Sequence, residues 1–162
     1  MSTGPVVVMG VAGSGKSVVG QAVAGRLGRP FTDADDLHPE ANVEKMRRGE
    51  PLTDDDRRPW LDAVGSALAA SPAPVVACSA LKRAYRDRLR SHAPDVRFVH
   101  LDGDRDLIAD RMAERVDHFM PLSLLDDQFS TLEPLDADEP GRAVPIDGTV
   151  AEVVAAAVGW LR

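Results

Sequence analysis

A chain of 162 residues with 44 % hydrophobic residues suits one domain around a single buried core and excludes a disordered or fibrous protein. Nineteen Lys and Arg against 26 Asp and Glu leave a net charge of −7, a poor match for nucleic acid or an anionic membrane surface. The lone Cys78 rules out an internal disulfide and fits a reducing cytoplasm, while neither a signal peptide nor an apolar run of about 18 residues is visible.

Val6 to Met9 is a short apolar run, largely β-branched, as a buried parallel strand should be. Gly10 to Ser17 then fits G-x-x-x-x-G-K-[ST], and Val19, Val23 and Leu27 follow at helical spacing. The motif therefore lies between a strand and a helix, where its chemistry requires it. The backbone of Gly10, Val11, Ala12, Gly13, Ser14 and Gly15 can turn its N–H groups around a phosphate beside a helix N-terminus. Lys16 would add a point charge for the β/γ-phosphates, and the Ser17 hydroxyl a ligand for Mg²⁺. This is read as a nucleoside triphosphate site.

Gly28-Arg29-Pro30 stops the first helix, and a strand over Pro30–Thr32 empties into Asp33-Ala34-Asp35-Asp36-Leu37-His38-Pro39. In an open parallel sheet such a loop lies beside the phosphate loop. Asp33 and Asp35 could hold Mg²⁺ through water, accept from a substrate hydroxyl, act as base, or merely cap the helix over Glu40–Arg48; His38 is a weaker candidate. Asp54-Asp55-Asp56 after Thr53 reads as a helix N-terminus, with Pro59 confining the regular helix to about Arg58–Ala70. Trp60, Leu61, Val64, Ala67 and Leu68 form its apolar stripe. Arg57 and Arg58 are either solvated or available to an anionic substrate.

A third strand, Ala73–Cys78, leads into a basic helix for which Ser79 is a plausible N-cap. Lys82 and Arg86, one turn apart, share a face on the ligand-facing edge; Arg83, Arg88 and Arg90 read as solvated. A fourth strand over Asp95–Asp102 precedes a helix over Asp104–Glu114 with Leu107, Ile108 and Met112 inward. Arg111 and Arg115 end that helix one turn apart, ahead of a segment over about 116–125 broken at Met120-Pro121 and a short helix over Leu125–Leu132. That arrangement suggests a lid whose arginines close on the nucleotide, the alternative being complementation of the helix dipole. Arg142–Asp147 is a last strand, on the edge because of Pro145, and Thr149 with Glu152 forms a capping box for the final helix. Strands and helices alternate five times, predicting a parallel sheet covered on both faces in one domain over 1–162, with residues of about 38–60 covering the acceptor.

At this point the chain resembles the gluconate kinases of the small P-loop kinase group, nearly end to end. The resemblance is carried by Met9-Gly10-Val11, Asp33-Ala34-Asp35 with Leu37-His38-Pro39, Glu44-Lys45-Met46, Gly49-Glu50-Pro51-Leu52, Asp54-Asp55-Asp56-Arg57 and Pro59-Trp60-Leu61. Cys78-Ser79-Ala80-Leu81-Lys82, Tyr85-Arg86, His118-Phe119-Met120, Leu124-Leu125, Gln128-Phe129 and Leu132-Glu133 continue it. It implies an α/β P-loop NTPase fold of the nucleotide- and shikimate-kinase type, with five parallel strands and a mobile lid. It further implies ATP and D-gluconate giving 6-phosphogluconate and ADP, with Mg²⁺, in a cytoplasmic protein that is commonly a homodimer. On that reading Lys16, Asp33 and Arg115 carry the chemistry, Arg111 and Arg115 bind ATP, and Asp33, Asp35, His38, Arg57, Lys82, Arg86 and His118 surround gluconate. The family usually has glycine at the positions of Ala34 and Asp117 and a larger apolar residue at that of Asp36. Two rivals remain: a shikimate- or nucleotide-type kinase, though no glycine cluster follows the third strand, and a nucleotide-binding switch, though no Asn-Lys-x-Asp motif is present.

Overall fold

In the computed structural model, which describes residues 4–113 and 122–162, the apolar run Val6–Met9 is β1, and all four of its residues are fully buried. Val6 and Val8 point into one core layer and Val7 and Met9 into the other, which is why the strand shows no polar alternation. Around it lie β2 (Phe31–Asp33), β3 (Val75–Ala77), β4 (Arg97–Asp102) and β5 (Gly141–Pro145), in the order β2-β3-β1-β4-β5 with every pairing parallel. β5 occupies an edge, where the missing N–H of Pro145 costs no ladder bond.

Helices α1 (Lys16–Leu27), α5 (Arg105–Ala113), α6 (Leu122–Thr131) and α7 (Val150–Leu161) contribute to one layer. Helices α3 (Asp54–Leu68) and α4 (Arg83–His92) cover the other face, and α2 (Glu40–Arg47) follows a 3₁₀ turn over Ala34–Leu37. Strand β1 lies between β3 and β4, and the chain builds the sheet out to β2 and β3 on one side of it before crossing to β4 and β5 on the other. The crevice beyond the strand ends at this switch point is where an α/β sheet takes ligands.

Three boundaries differ from the sequence expectation. Helix α3 starts at Asp54 and carries Pro59 inside it. The Thr53 hydroxyl accepts from the Asp56 N–H at 3.1 Å while the Asp56 carboxylate accepts from the Thr53 N–H at 2.9 Å. This reciprocal cap and the buried Trp60, Leu61, Val64 and Leu68 outweigh the one bond that proline removes. Helix α4 starts at Arg83 with Lys82 as its N-cap, so Ser79 caps nothing. Residues 79–81 form a link in which Ala80 takes the left-handed φ of 43°. Helix α6 begins at Leu122, ahead of the expected Leu125. Among the described residues, no helix is long and apolar enough to cross a membrane.

Candidate active site

Helix α1 opens on Gly15, whose φ of 92° no L side chain adopts easily, and no side chain caps the helix. Its first-turn N–H groups therefore face the crevice as an anion-binding end. Gly13, at φ 78°, lies against α5: a Cβ there would come within 2.6 Å of Met112 Cγ. The loop is stitched internally through the Val11 carbonyl, which accepts from Ser14 Oγ at 2.7 Å and from Lys16 Nζ at 3.1 Å. Desolvation lowers the Lys16 pKa, opposed by the negative charges of Asp35 and Asp33.

Beside the loop runs a cleft of about 530 Å³, a volume that suits a nucleoside. Arg111, Gly148, Thr149, Val18 and Val150 line it with the loop glycines, and Arg111 donates to the Gly148 carbonyl at 3.4 Å. Val18 and Val150 are 51 % and 53 % exposed, unusual for large apolar side chains at the start of otherwise well-packed helices. Two valines and an arginine lining one cleft offer apolar surface and a cationic plane to a flat base.

On the other side, β2 delivers Asp33 to the loop. One carboxylate oxygen accepts from Ser17 Oγ at 2.7 Å and the other from the Asp35 N–H at 3.0 Å, so Asp33 both caps the 3₁₀ turn and joins α1. Among the described residues, no three His, Cys, Asp or Glu side chains are grouped as a metal site. The pair Ser17 and Asp33 nevertheless fits Mg²⁺, a hard cation that takes one or two protein oxygens and fills the rest with phosphate and water. Asp35 and Asp36 are exposed. Ala34 is fully buried, and its carbonyl accepts from Trp60 Nε1 at 2.7 Å, so its methyl group is absorbed in the core layer under α3.

Trp60 also carries His38, stacked on it at 4.4 Å. Burial lowers the His38 pKa, with Asp35 opposing and Arg57 reinforcing the shift. The Asn42 amide, which also donates to the Asp56 carbonyl at 2.9 Å, lies 3.3 Å from His38 Nδ1. Donation there leaves the ring proton on Nε2.

The structure separates the three cations offered for an anionic acceptor. Arg57 and Lys82 lie over the same Tyr85 ring, at 5.6 and 5.5 Å from its centre. Tyr85 donates to Asp54 at 2.6 Å, Lys82 donates to the same carboxylate at 3.3 Å, and Arg57 donates to the Tyr85 oxygen at 3.2 Å. Arg86, by contrast, has no exposed surface. It makes a bidentate pair with Glu139 at 2.7 and 3.0 Å and donates to the carbonyls of Ala80 and Leu81. Its place among the acceptor ligands is therefore corrected: the shared helical face with Lys82 does not hold, because Lys82 precedes the helix and Arg86 turns inward. Arg83, read as solvated, instead pairs with Asp136 and Asp138, and Arg88 with Asp62. Arg115 and His118, and most of the segment 116–125, lie outside the described residues.

The model of the shikimate kinase family matches residues 12–134. The thermoresistant gluconokinase of Escherichia coli (strain K12) is 45 % identical over 157 residues, spanning 91 % of this chain and 90 % of that protein. The chain belongs to the gluconokinase family. The gluconokinase of Gluconobacter oxydans (strain 621H) is 50 % identical over 139 residues, 83 % of this chain and 78 % of its own. The crystal structure of a gluconokinase from Sinorhizobium meliloti 1021 superposes with a TM-score of 0.92 at 51 % identity, covering 98 % of this chain and 91 % of that one. Membership in the family agrees with the observed fold, a P-loop kinase with a five-stranded parallel sheet.

Several site-lining residues escaped the sequence reading. Val18 falls outside the spacing of Val19, Val23 and Leu27, Val150 reads as part of the apolar side of the last helix, and only their exposure singles them out. Asp54 and Tyr85 are joined through space across 31 positions. Gln128 accepts from the Ala12 N–H at 2.6 Å. Its signals are its place in the Gln128-Phe129 pair that carries the resemblance and its spacing of three and four residues from Leu125 and Leu132.

Proposed function

We propose that this protein transfers the γ-phosphoryl group of ATP to gluconate, yielding 6-phosphogluconate and ADP. The observation that carries the reading is the pairing of Arg57 and Lys82 on Tyr85, on the side of the sheet covered by α3 and α4, whereas the nucleoside cleft is lined from α1, α5 and α7. Two adjacent cations suit a carboxylate, and a sugar acid supplies one together with hydroxyls for Asp33 and His38.

The nucleoside occupies the cleft with Arg111 against the base, and its phosphates run along the Gly10–Ser17 loop toward Lys16. Mg²⁺, held by Ser17 with Asp33 or Asp35 reached through water, would neutralise phosphate charge. Asp33 accepts from the acceptor hydroxyl, which orients it in line and removes its proton as the phosphoryl group departs. Transfer through a loose transition state demands chiefly positioning and charge neutralisation, and Arg115 supplies a further cation on this reading. Both His118 and Arg115 retain the roles that the resemblance implies. We take the protein to act in the cytoplasm, in line with its single cysteine, and as a homodimer, as the resemblance implies.

A coupled ADP-release assay tests the reading across gluconate, glucose, shikimate and nucleoside monophosphates. Gluconate is expected to exceed glucose in kcat/KM by on the order of 10³, since glucose offers no carboxylate to Arg57 and Lys82. Comparable efficiency on glucose, or preference for shikimate or a nucleotide, would defeat it.

A further inference from the structure

The phosphate loop is gripped from outside itself at one peptide unit. The carbonyl of that unit belongs to Val11 and accepts from Lys16 Nζ at 3.1 Å and Ser14 Oγ at 2.7 Å. Its N–H belongs to Ala12 and donates to Gln128 Oε1 at 2.6 Å. In a trans peptide the carbonyl and the N–H point in opposite directions, so Gln128 and Lys16 hold the same plane from opposite sides. An N–H can only donate, which fixes the carboxamide with its oxygen toward the loop.

Gln128 is itself rigidly placed. It lies one turn after Leu125, which is fully buried in the core layer shared with β1 and α1. Helix α6 is tied to α5 by Arg105 and Asp126 at 2.7 Å, and its C-terminal extension to the Lys82 segment by Glu133, which accepts from the Arg83 N–H at 2.9 Å. Met112 of α5 meets the same loop at Gly13. Thus α5 and α6 hold neighbouring positions of the loop, one by packing and one by a hydrogen bond.

We infer that Gln128 is a positioning residue for the phosphate loop: by fixing the Val11–Ala12 peptide plane it fixes the carbonyl on which the Lys16 ammonium rests. Without that acceptor the peptide plane is held from its carbonyl side alone, by Ser14 and Lys16, so the Lys16 resting place loosens and ATP must order the loop as it binds. The ordering cost falls on nucleotide affinity and spares the acceptor, whose ligands Arg57 and Lys82 are held independently by Tyr85 and Asp54.

The test uses the full chain with Gln128→Met, which keeps length and removes the acceptor, and Gln128→Glu, which keeps an acceptor oxygen. ATP affinity is measured by titration without acceptor. Gln128→Met should bind ATP roughly tenfold more weakly, the scale of one lost hydrogen bond to a partly buried donor. Its gluconate KM at saturating ATP should stay within about twofold, and its melting temperature should fall by only a few degrees, the scale of one hydrogen bond. Amide exchange at Ala12 should be fast in Gln128→Met and slow in both the parent and Gln128→Glu, a rescue that a packing role would not produce. Unchanged ATP affinity in Gln128→Met, equal Ala12 exchange in all three proteins, or an effect confined to gluconate KM would overturn the assignment. The inference rests on the nucleotide reading: a parent chain that bound no ATP would defeat both, whereas normal parent binding left unaltered in Gln128→Met defeats this one alone.

Discussion

Replacing Arg86 by leucine distinguishes an arginine that builds the fold from one that meets substrate. Both Arg86 and Glu139 have fully enclosed side chains, joined by two short parallel bonds. Burial alone would raise the Glu139 carboxyl, but the Arg86 bonds and the Asp136 N–H at 2.8 Å outweigh it and hold the pKa below its ordinary value. Leucine would leave a buried carboxylate with only that N–H, and would strip donors from the carbonyls of Ala80 and Leu81. Breaking one side of a buried pair costs about 3–5 kcal/mol. For a domain of this size each kcal/mol corresponds to about 2–4 °C, so the melting temperature should fall by roughly 6–20 °C. Adding Glu139→Leu should recover much of the loss, because the uncompensated charge disappears with it. Differential scanning calorimetry on the parent, the two single variants and the double variant supplies the cycle. Steady-state kinetics supply the contrast: Arg57→Ala should raise gluconate KM strongly with little thermal effect, and Arg86→Leu the reverse. A stable Arg86→Leu protein with a hundredfold higher gluconate KM would refute the assignment of Arg86 to the scaffold.

Two further perturbations follow from backbone and charge. Gly13→Ala should destabilise by about 1–3 kcal/mol and weaken ATP binding, since it strains a left-handed residue and drives a methyl group into Met112; Gly25→Ala, in a helix with open space around it, should stabilise slightly, and equal melting temperatures for the two would contradict the geometry. Asp56 has its pKa lowered from 3.8 to about 2, first by the Lys45 hydrogen bond at 2.6 Å and then by the Thr53 N–H. Because the folded value is the lower one, its contribution is complete above pH ~4 and is lost as pH falls toward about 2. The gap in urea midpoint between the parent and Asp56→Asn should therefore be constant from neutral pH to about 4 and close below it, and a gap that widens in acid would reverse the sign.

Local chemistry made much of this protein legible in its sequence. The phosphate loop needs glycine at left-handed positions and a Lys-Ser pair at the helix start, requirements met by eight consecutive residues that name themselves. The Thr149–Glu152 cap, the edge position of β5 and the two-sided burial of β1 are likewise decided by neighbours within a few positions. Proline in the first turns of α3 misled because its local penalty is outweighed by a reciprocal cap and a buried stripe. What only the tertiary structure decided are matters of pairing across long separations. Lys82 and Arg86 look alike in sequence, yet one rests at the surface beside Asp54 and the other disappears against Glu139, 53 positions away. Gln128 reads as an ordinary helical polar residue until α6 is laid against a loop 116 positions earlier. Charge and polarity are properties of a residue, but whether they hold a ligand or the protein itself depends on which partner folding brings within about 3 Å.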